Sequence, residues 1–249
     1  MSGHSKWSKI KHVKGAQDAK RGKIFTKIIK EITIAARIGG ADPGGNPRLR
    51  AAIEAAKAAN MPGDNIKRAI QKGTGELPGQ QYEEVSYEGY GPGGVAIYVE
   101  AMTDNKNRTL PEIRHLFTKY GGNLGEHNSV AWMFEKKGYL VVDKGLVTEE
   151  ALLETVLEAG GNDLRDDGES FEIFTSPEAF QTVRESLQKM GVPIAAGEVA
   201  MIPKNRVHLE GKKAQNLLSM IEALEDHDDV QHAYANFDIA DEELDRRAS

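Results

Sequence analysis

Apolar residues in the first part of the chain recur every three or four positions. Ile24, Phe25, Ile28, Ile29 and Ile32 form one stripe of helical period, with Lys23, Lys27, Lys30 and Arg37 mainly on other faces. This predicts a helix over 23–38, ended by Gly39-Gly40. Asn46-Pro47 opens a second helix, with asparagine at the N-cap and proline as the first helical residue. Leu49, Ala52, Ile53 and Ala56 are its inward face, and Asn60-Met61-Pro62 stops it. Asp64 caps a short third helix that turns Ile66, Ala69 and Ile70 inward and Lys67, Arg68 and Lys72 outward, with Gly73 closing it. Three amphipathic helices in succession read as a small bundle. Ahead of them, residues 1–22 are polar, basic and punctuated by Gly3, Gly15 and Gly22. They read as an arm with a short helix held down by Trp7.

Beyond a Gly- and Pro-containing linker at 74–81 the period drops to two. Val95, Ile97 and Val99 alternate as in a strand, entered through the turn Gly-Tyr-Gly-Pro-Gly-Gly at 89–94. Thr109-Leu-Pro-Glu112 has the pattern of a capping box for a helix burying Leu110, Ile113, Leu116, Phe117 and Tyr120. Gly121-Gly122 ends it, and a strand at 129–134 is expected to carry Trp132 into the core. A strand at 139–142, a helix capped by Thr148, two strands flanking Asp167-Gly168, a helix opened by Ser176-Pro177 and a strand near 198–202 complete a β-α-β-β-α-β series. A strand at 206–209, a helix through Leu217, Leu218, Ile221 and Leu224, and a strand at 230–237 follow. The expected fold is α+β in three domains: a basic three-helix domain at 1–76, a middle domain at 82–136 plus 204–240, and an inserted domain at 137–203. The last two are split-βαβ, ferredoxin-like units.

Charge changes the picture more than composition does. The 249 residues carry a formal net charge of −6, which taken alone argues against a polyanion partner. Residues 1–73 nevertheless hold sixteen Lys/Arg against five Asp/Glu, and the rest of the chain holds sixteen against thirty-three. Such asymmetry points to a nucleic-acid-binding end on an acidic body. Up to Lys30 the only acid is Asp18, against Lys6, Lys9, Lys11, Lys14, Lys20, Arg21, Lys23, Lys27 and Lys30. His4 and His12 can donate to phosphates, and Trp7 can stack on an unpaired base. Phe25 lies on the apolar stripe and reads as core. With His4 and Trp7, the nine cations are the candidate nucleic-acid-binding residues.

Other chemistry finds little support. Without cysteine there is no disulfide or thiolate metal site. The chain has no phosphate-binding loop of the P-loop type, no nucleophile elbow and no zinc-protease helix, so no catalytic residue and no cofactor are expected. Acids surround His227, with His232 nearby, which invites a metal. Between 222 and 245, however, ten Asp/Glu occur with no Lys/Arg, the composition of a solvated acidic face. No apolar run is long enough to span a membrane and no apolar stretch follows the charged N-terminus, so a cytoplasmic protein is expected.

Several motifs, in order along the chain, resemble the YebC family. They are Gly3-His-Ser-Lys-Trp7, Lys14-Gly-Ala-Gln-Asp-Ala-Lys-Arg-Gly-Lys-Ile-Phe-Thr-Lys27, Asn60-Met-Pro-Gly-Asp-Asn-Ile66, Tyr87-Glu-Gly-Tyr-Gly-Pro-Gly-Gly94, Asp104-Asn-Lys-Asn-Arg-Thr109 and Ser129-Val-Ala-Trp-Met-Phe134. The resemblance implies three domains with a helical first one, and a role as a DNA-binding transcriptional regulator in the cytoplasm. It also links the chain to mitochondrial translational activators of cytochrome oxidase and to ribosome-associated factors for proline-rich stretches. The partner is therefore DNA, or alternatively ribosomal RNA and the ribosome. Nothing in the sequence fixes the oligomeric state. At Gly125-Glu-His-Asn-Ser129 the chain departs from the family, which usually has glycine in place of Asn128. Asparagine tolerates left-handed geometry, so the turn is expected to survive.

Overall fold

A computed structural model describes residues 18–240 and Leu244. Helices α1 (Asp18–Gly39), α2 (Pro47–Ala58) and α3 (Gly63–Thr74) form the N-terminal unit. Its core is made by Ile32, Ala35, Ala36, Leu49, Ala52, Ala56, Met61, Ile66 and Ala69, with Phe25, Ile28 and Ile29 packed against them. The small residues let the helices approach closely. Gly73 lies inside α3 rather than closing it, and only glycine fits there, since a Cβ would run into the Thr33 carbonyl and the Ala36 methyl of α1. Gly75, at φ +83°, provides the left-handed exit instead.

Asn46 caps α2 as expected. Its Oδ1 accepts from Leu49 N at 3.0 Å, and its Nδ2 donates to the Ala35 and Gly40 carbonyls at 2.8 and 2.9 Å. One side chain thus ties the end of α1 to the start of α2. Asp64 does not cap α3. Pro62 holds the cap position without a side-chain bond, and Asp64 sits in the first turn, where its charge faces the positive end of the helix dipole.

The first sheet is antiparallel. Strands β1 (Glu83–Tyr90) and β2 (Ala96–Thr103) form a hairpin, with β3 (Asn123–Leu124) beside β1 and β9 (Val230–Ala235) beside β2. Helices α4 (Lys106–Lys119) and α7 (Gly211–Glu225) cover one face, burying Ile97, Val99, Ile113, Phe117, Leu217 and Ile221. Strand β1 has no counterpart among the elements that periodicity predicts, and residues 206–209 do not join this sheet. Those residues instead supply β8 (Val207–Leu209), which pairs in parallel with β10 (Phe237–Ile239).

The second sheet runs β5-β6-β4-β7 from β4 (Phe134–Asp143), β5 (Gly161–Asp166), β6 (Ser170–Thr175) and β7 (Ile194–Pro203). Every pairing is antiparallel. Helices α5 (Glu149–Glu158) and α6 (Phe180–Lys189) pack on one face over Leu140, Val142, Leu152, Val156, Ile173 and Leu187. This is the ferredoxin-like arrangement, and in chain order its elements lie between β3 and β8. Its other face packs on the helix-free face of the first sheet through Tyr139, Val141, Ala196, Phe134 and Tyr234.

Two local expectations for this region are corrected. Helix α4 starts at Lys106 with Asn105 as its cap, whose Oδ1 accepts from Arg108 N at 3.1 Å, so Thr109 lies inside the helix and no capping box forms. Residues 129–133 form a turn and a short 3₁₀ segment before β4, and Trp132 is 63% exposed instead of buried in a core strand. Among the described residues no helix is long and apolar enough to cross a membrane.

Candidate nucleic-acid interface

Lys23, Lys27 and Lys30 stand at i, i+4 and i+7 on α1 and share one face. That face meets the C-terminal end of α7 and the acidic turn after it. Lys23 Nζ donates to the Asp226 carbonyl at 3.0 Å and to its carboxylate at 2.6 Å. Lys27 Nζ donates to the Glu225 carbonyl at 2.5 Å. Lys30 Nζ donates to the Asp228 carbonyl at 2.8 Å and to Asp229 Oδ1 at 2.6 Å, with both side chains buried. A helix C-terminus offers unpaired carbonyls and a negative dipole end, so three ammonium groups suit it as well as carboxylates do. Three of the candidate cations are therefore engaged inside the molecule.

Asp229 is the centre of this contact. Its Oδ2 accepts from Arg108 Nη2 at 2.8 Å, Thr109 Oγ1 at 2.7 Å and Thr103 Oγ1 at 3.2 Å, while Oδ1 holds Lys30. Burial alone would raise the Asp229 pKa, but the hydrogen bonds from Lys30, Arg108 and Thr109 outweigh it and hold the carboxyl well below the usual aspartate range. Glu112, His227 and Asp229 place one donor atom each within 4.8 Å of one another. The donor set does not suit a metal. Both Asp229 oxygens are taken by cations and hydroxyls, His227 Nδ1 accepts from Asp229 N at 3.1 Å, and His227 Nε2 lies 3.0 Å from Glu112. The adjoining cleft of about 1020 Å³ is lined by Lys23, Thr26, Tyr82, His115 and other residues of these elements.

Arg48 of α2 makes a second bridge to the body. Its guanidinium is paired with both Glu31 oxygens at 2.6 and 3.0 Å and with Glu84 of β1 at 2.7 Å. What the helical unit presents to solvent is a different set: Arg37, Arg50, Lys57, Lys67, Arg68 and Lys72 are all exposed. Lys67, Arg68 and Lys72 point outward as the sequence predicts. Phe25 packs against the bundle core. His4, Lys6, Trp7, Lys9, Lys11, Lys14 and the side chains of Lys20 and Arg21 lie outside the described residues.

Residues 5–76 match the family model described as the TACO1/YebC protein N-terminal domain, and residues 82–237 match the model for the TACO1/YebC second and third domain. The chain belongs to the TACO1/YebC family. It is 61% identical over 246 residues to a probable transcriptional regulatory protein of Geobacter sulfurreducens, covering 99% of each chain. It is 62% identical over 239 residues to one of Acidobacterium capsulatum, covering 96% of this chain and 97% of the other. Its fold is similar to the crystal structure of a conserved hypothetical protein of Aquifex aeolicus, with TM-score 0.79, 52% identity, and coverage of 90% and 93%.

The left-handed geometry expected of the turn at Asn128 is present. Asn128 adopts φ +65°, and its N–H is donated to Glu88 Oε1 at 2.8 Å. Glu88, only 2% exposed, also accepts from Val130 N and Ala131 N, each at 2.8 Å. One buried carboxylate thus fixes the whole 128–131 turn. Periodicity does not single out Glu88, because it lies in β1, a strand whose polar sequence hides it.

Proposed function

We propose that this chain is a nucleic-acid-binding regulator of gene expression, acting as a DNA-binding transcriptional regulator through the exposed cations of its N-terminal helical unit. The observation that carries this reading is the separation of charge. Arg37, Arg50, Lys57, Lys67, Arg68 and Lys72 stand exposed on one unit, with the basic arm preceding it, while acids outnumber bases two to one in the rest of the chain. Lysine and arginine neutralise phosphates and release counterions, which favours binding without a shaped pocket. Names given to close relatives support transcriptional regulation. The role is regulatory rather than enzymatic: around Asp229, where titratable groups converge, cations and hydroxyls saturate the carboxylate.

Binding of labelled duplex DNA, measured by anisotropy from low to moderate salt, tests the reading. Affinity should fall steeply as salt rises, linearly on logarithmic axes. Absence of binding at low salt would end it. Sedimentation of a lysate through sucrose at the same salts separates the DNA reading from a ribosome-associated role, because co-migration with ribosomal subunits that survives moderate salt would move the target to RNA.

A further inference from the structure

We propose that Trp132 is a base-stacking platform, a second contact through which the acidic body takes an unpaired base of a single-stranded nucleic acid. The proposal rests on the nucleic-acid reading above and gives the body a part in it. Trp132 is 63% exposed, on the 3₁₀ segment between the Glu88-held turn and β4. Its indole N–H is already donated to the Ser129 carbonyl at 3.2 Å, so what remains for a partner is the ring face.

The ring is displayed on a rigid mount. Besides the three backbone N–H groups on Glu88, Gly125 N donates to the Glu88 carbonyl at 2.7 Å and Tyr90 Oη donates to the Ser129 carbonyl at 3.3 Å. Lys204 closes the other side, with its N–H on the Met133 carbonyl at 2.9 Å and its Nζ on the Trp132 carbonyl at 3.0 Å. A fixed aromatic group loses little entropy on binding, so its contact area converts efficiently into affinity.

Charge identifies the occupant. In a body dominated by acids, the end of β4 and the residues just after β7 carry Lys136, Lys137, Lys204 and Arg206. Lys137 is paired with Glu135 at 3.2 Å and Arg206 lies 4.0 Å from Glu172, which leaves exposed Lys136 and Lys204 against the carboxylate of Glu126. An indole face next to Lys204, with Lys136 further along β4, matches a single strand, whose bases offer π-faces and whose phosphates follow alongside. In a duplex the base faces are stacked on one another and give the indole nothing to cover.

Trp7→Phe in the full chain leaves Trp132 as the only tryptophan, since the chain has two. Titrating this protein with an oligo-dT strand, an oligo-U strand and a duplex should quench Trp132 emission with both single strands and not with the duplex. Trp132→Ala should weaken single-strand binding roughly five- to 150-fold, the range for removing one base stack, with Trp132→Phe falling in between. Because the side chain is exposed, the alanine variant should melt as the parent does, and its duplex affinity should be unchanged. Single-strand binding with unchanged emission and undiminished affinity in Trp132→Ala overturns the platform and leaves the nucleic-acid reading standing. Equal quenching by the duplex overturns the unpaired base, and no binding of any strand or duplex by the parent overturns both. Quenching on adding a purified protein but none on adding strands makes the surface a protein contact and overturns the proposal as well.

Discussion

The helical unit carries two sets of cations that look alike in the sequence and differ in the fold. Lys23, Lys27 and Lys30 on α1 lie against Glu225–Asp229, where carbonyls and carboxylates meet all three. Lys67, Arg68 and Lys72 on α3 face solvent, as do Arg50 and Lys57 on α2. The first set lines a contact between units and the second is available to a polyanion. A charge excess counted along a chain therefore does not measure a charged surface. Part of the basic end and part of the acidic body neutralise each other by touching.

The largest effect should come from breaking the buried pair at the centre of the first set. Lys30→Met leaves Asp229 with less than its share of donors, and Asp229→Asn leaves Lys30 and Arg108 facing a neutral group. Removing one partner of a buried ion pair costs about 3–5 kcal/mol. Either variant should lose that much in urea unfolding, while the fraction still folded keeps its affinity for nucleic acid. A stability change below about 1 kcal/mol, the range of exposed pairs, would mean the contact is not held as described. The pH dependence has a definite sign. Asp229 has a folded pKa below its unfolded value, so its stabilising contribution is present above the ordinary aspartate range near pH ~4. It is lost as pH falls from there through the folded value. Asp229→Asn should accordingly flatten the acid limb of the stability profile and leave its shape near neutrality unchanged.

The second set should respond in the opposite way. Replacing Lys67, Arg68 and Lys72 together with glutamine should weaken DNA binding across sequences and lower the salt slope by about one unit for each phosphate no longer neutralised. Exposed substitutions of this kind usually stay within about 0.5 kcal/mol in stability. If the triple variant keeps the parental affinity and slope, the α3 cations are not at the interface and the comparison fails on its functional side.

Much of the fold is legible in the residues. The apolar stripe of α1, the Asn46-Pro47 start of α2 and the β-α-β-β-α-β series follow from spacing and capping, which act locally. Strand β1 is not legible: Glu83-Glu84-Val85-Ser86-Tyr87-Glu88 reads as polar, because Glu88 is a buried acceptor for backbone N–H groups about forty residues away. Trp132 misleads for the converse reason, since a large aromatic in an apolar run suggests a core strand and here it stands exposed on a short 3₁₀ segment. The candidate site divides along the same line. Sequence places lysines on a helix face, but whether that face meets solvent or Asp229 is decided about two hundred positions later, by a long-range contact with no local signature.

The smallest expected effect lies at the outer end of the α1 row and tests whether the row is one device. Lys23 and Asp226 are 42% and 58% exposed, so water and salt screen their 2.6 Å pair. Exposed pairs contribute about 0–1 kcal/mol, several-fold less than the Lys30–Asp229 pair only two helical turns away. Lys23→Ala should therefore change stability by less than about 1 kcal/mol, and raising the salt should shrink even that, whereas Lys30→Met should be nearly indifferent to salt. The substitution also asks whether Lys23 has a second use. Lys23 is partly exposed, whereas Lys30 is buried, so a phosphate can reach it more readily than the inner end of the row. A lower DNA salt slope in Lys23→Ala would place the boundary of the nucleic-acid surface between Lys23 and Lys27. An unchanged slope would assign the whole described row to the contact between units and leave phosphate binding to α2, α3 and the arm.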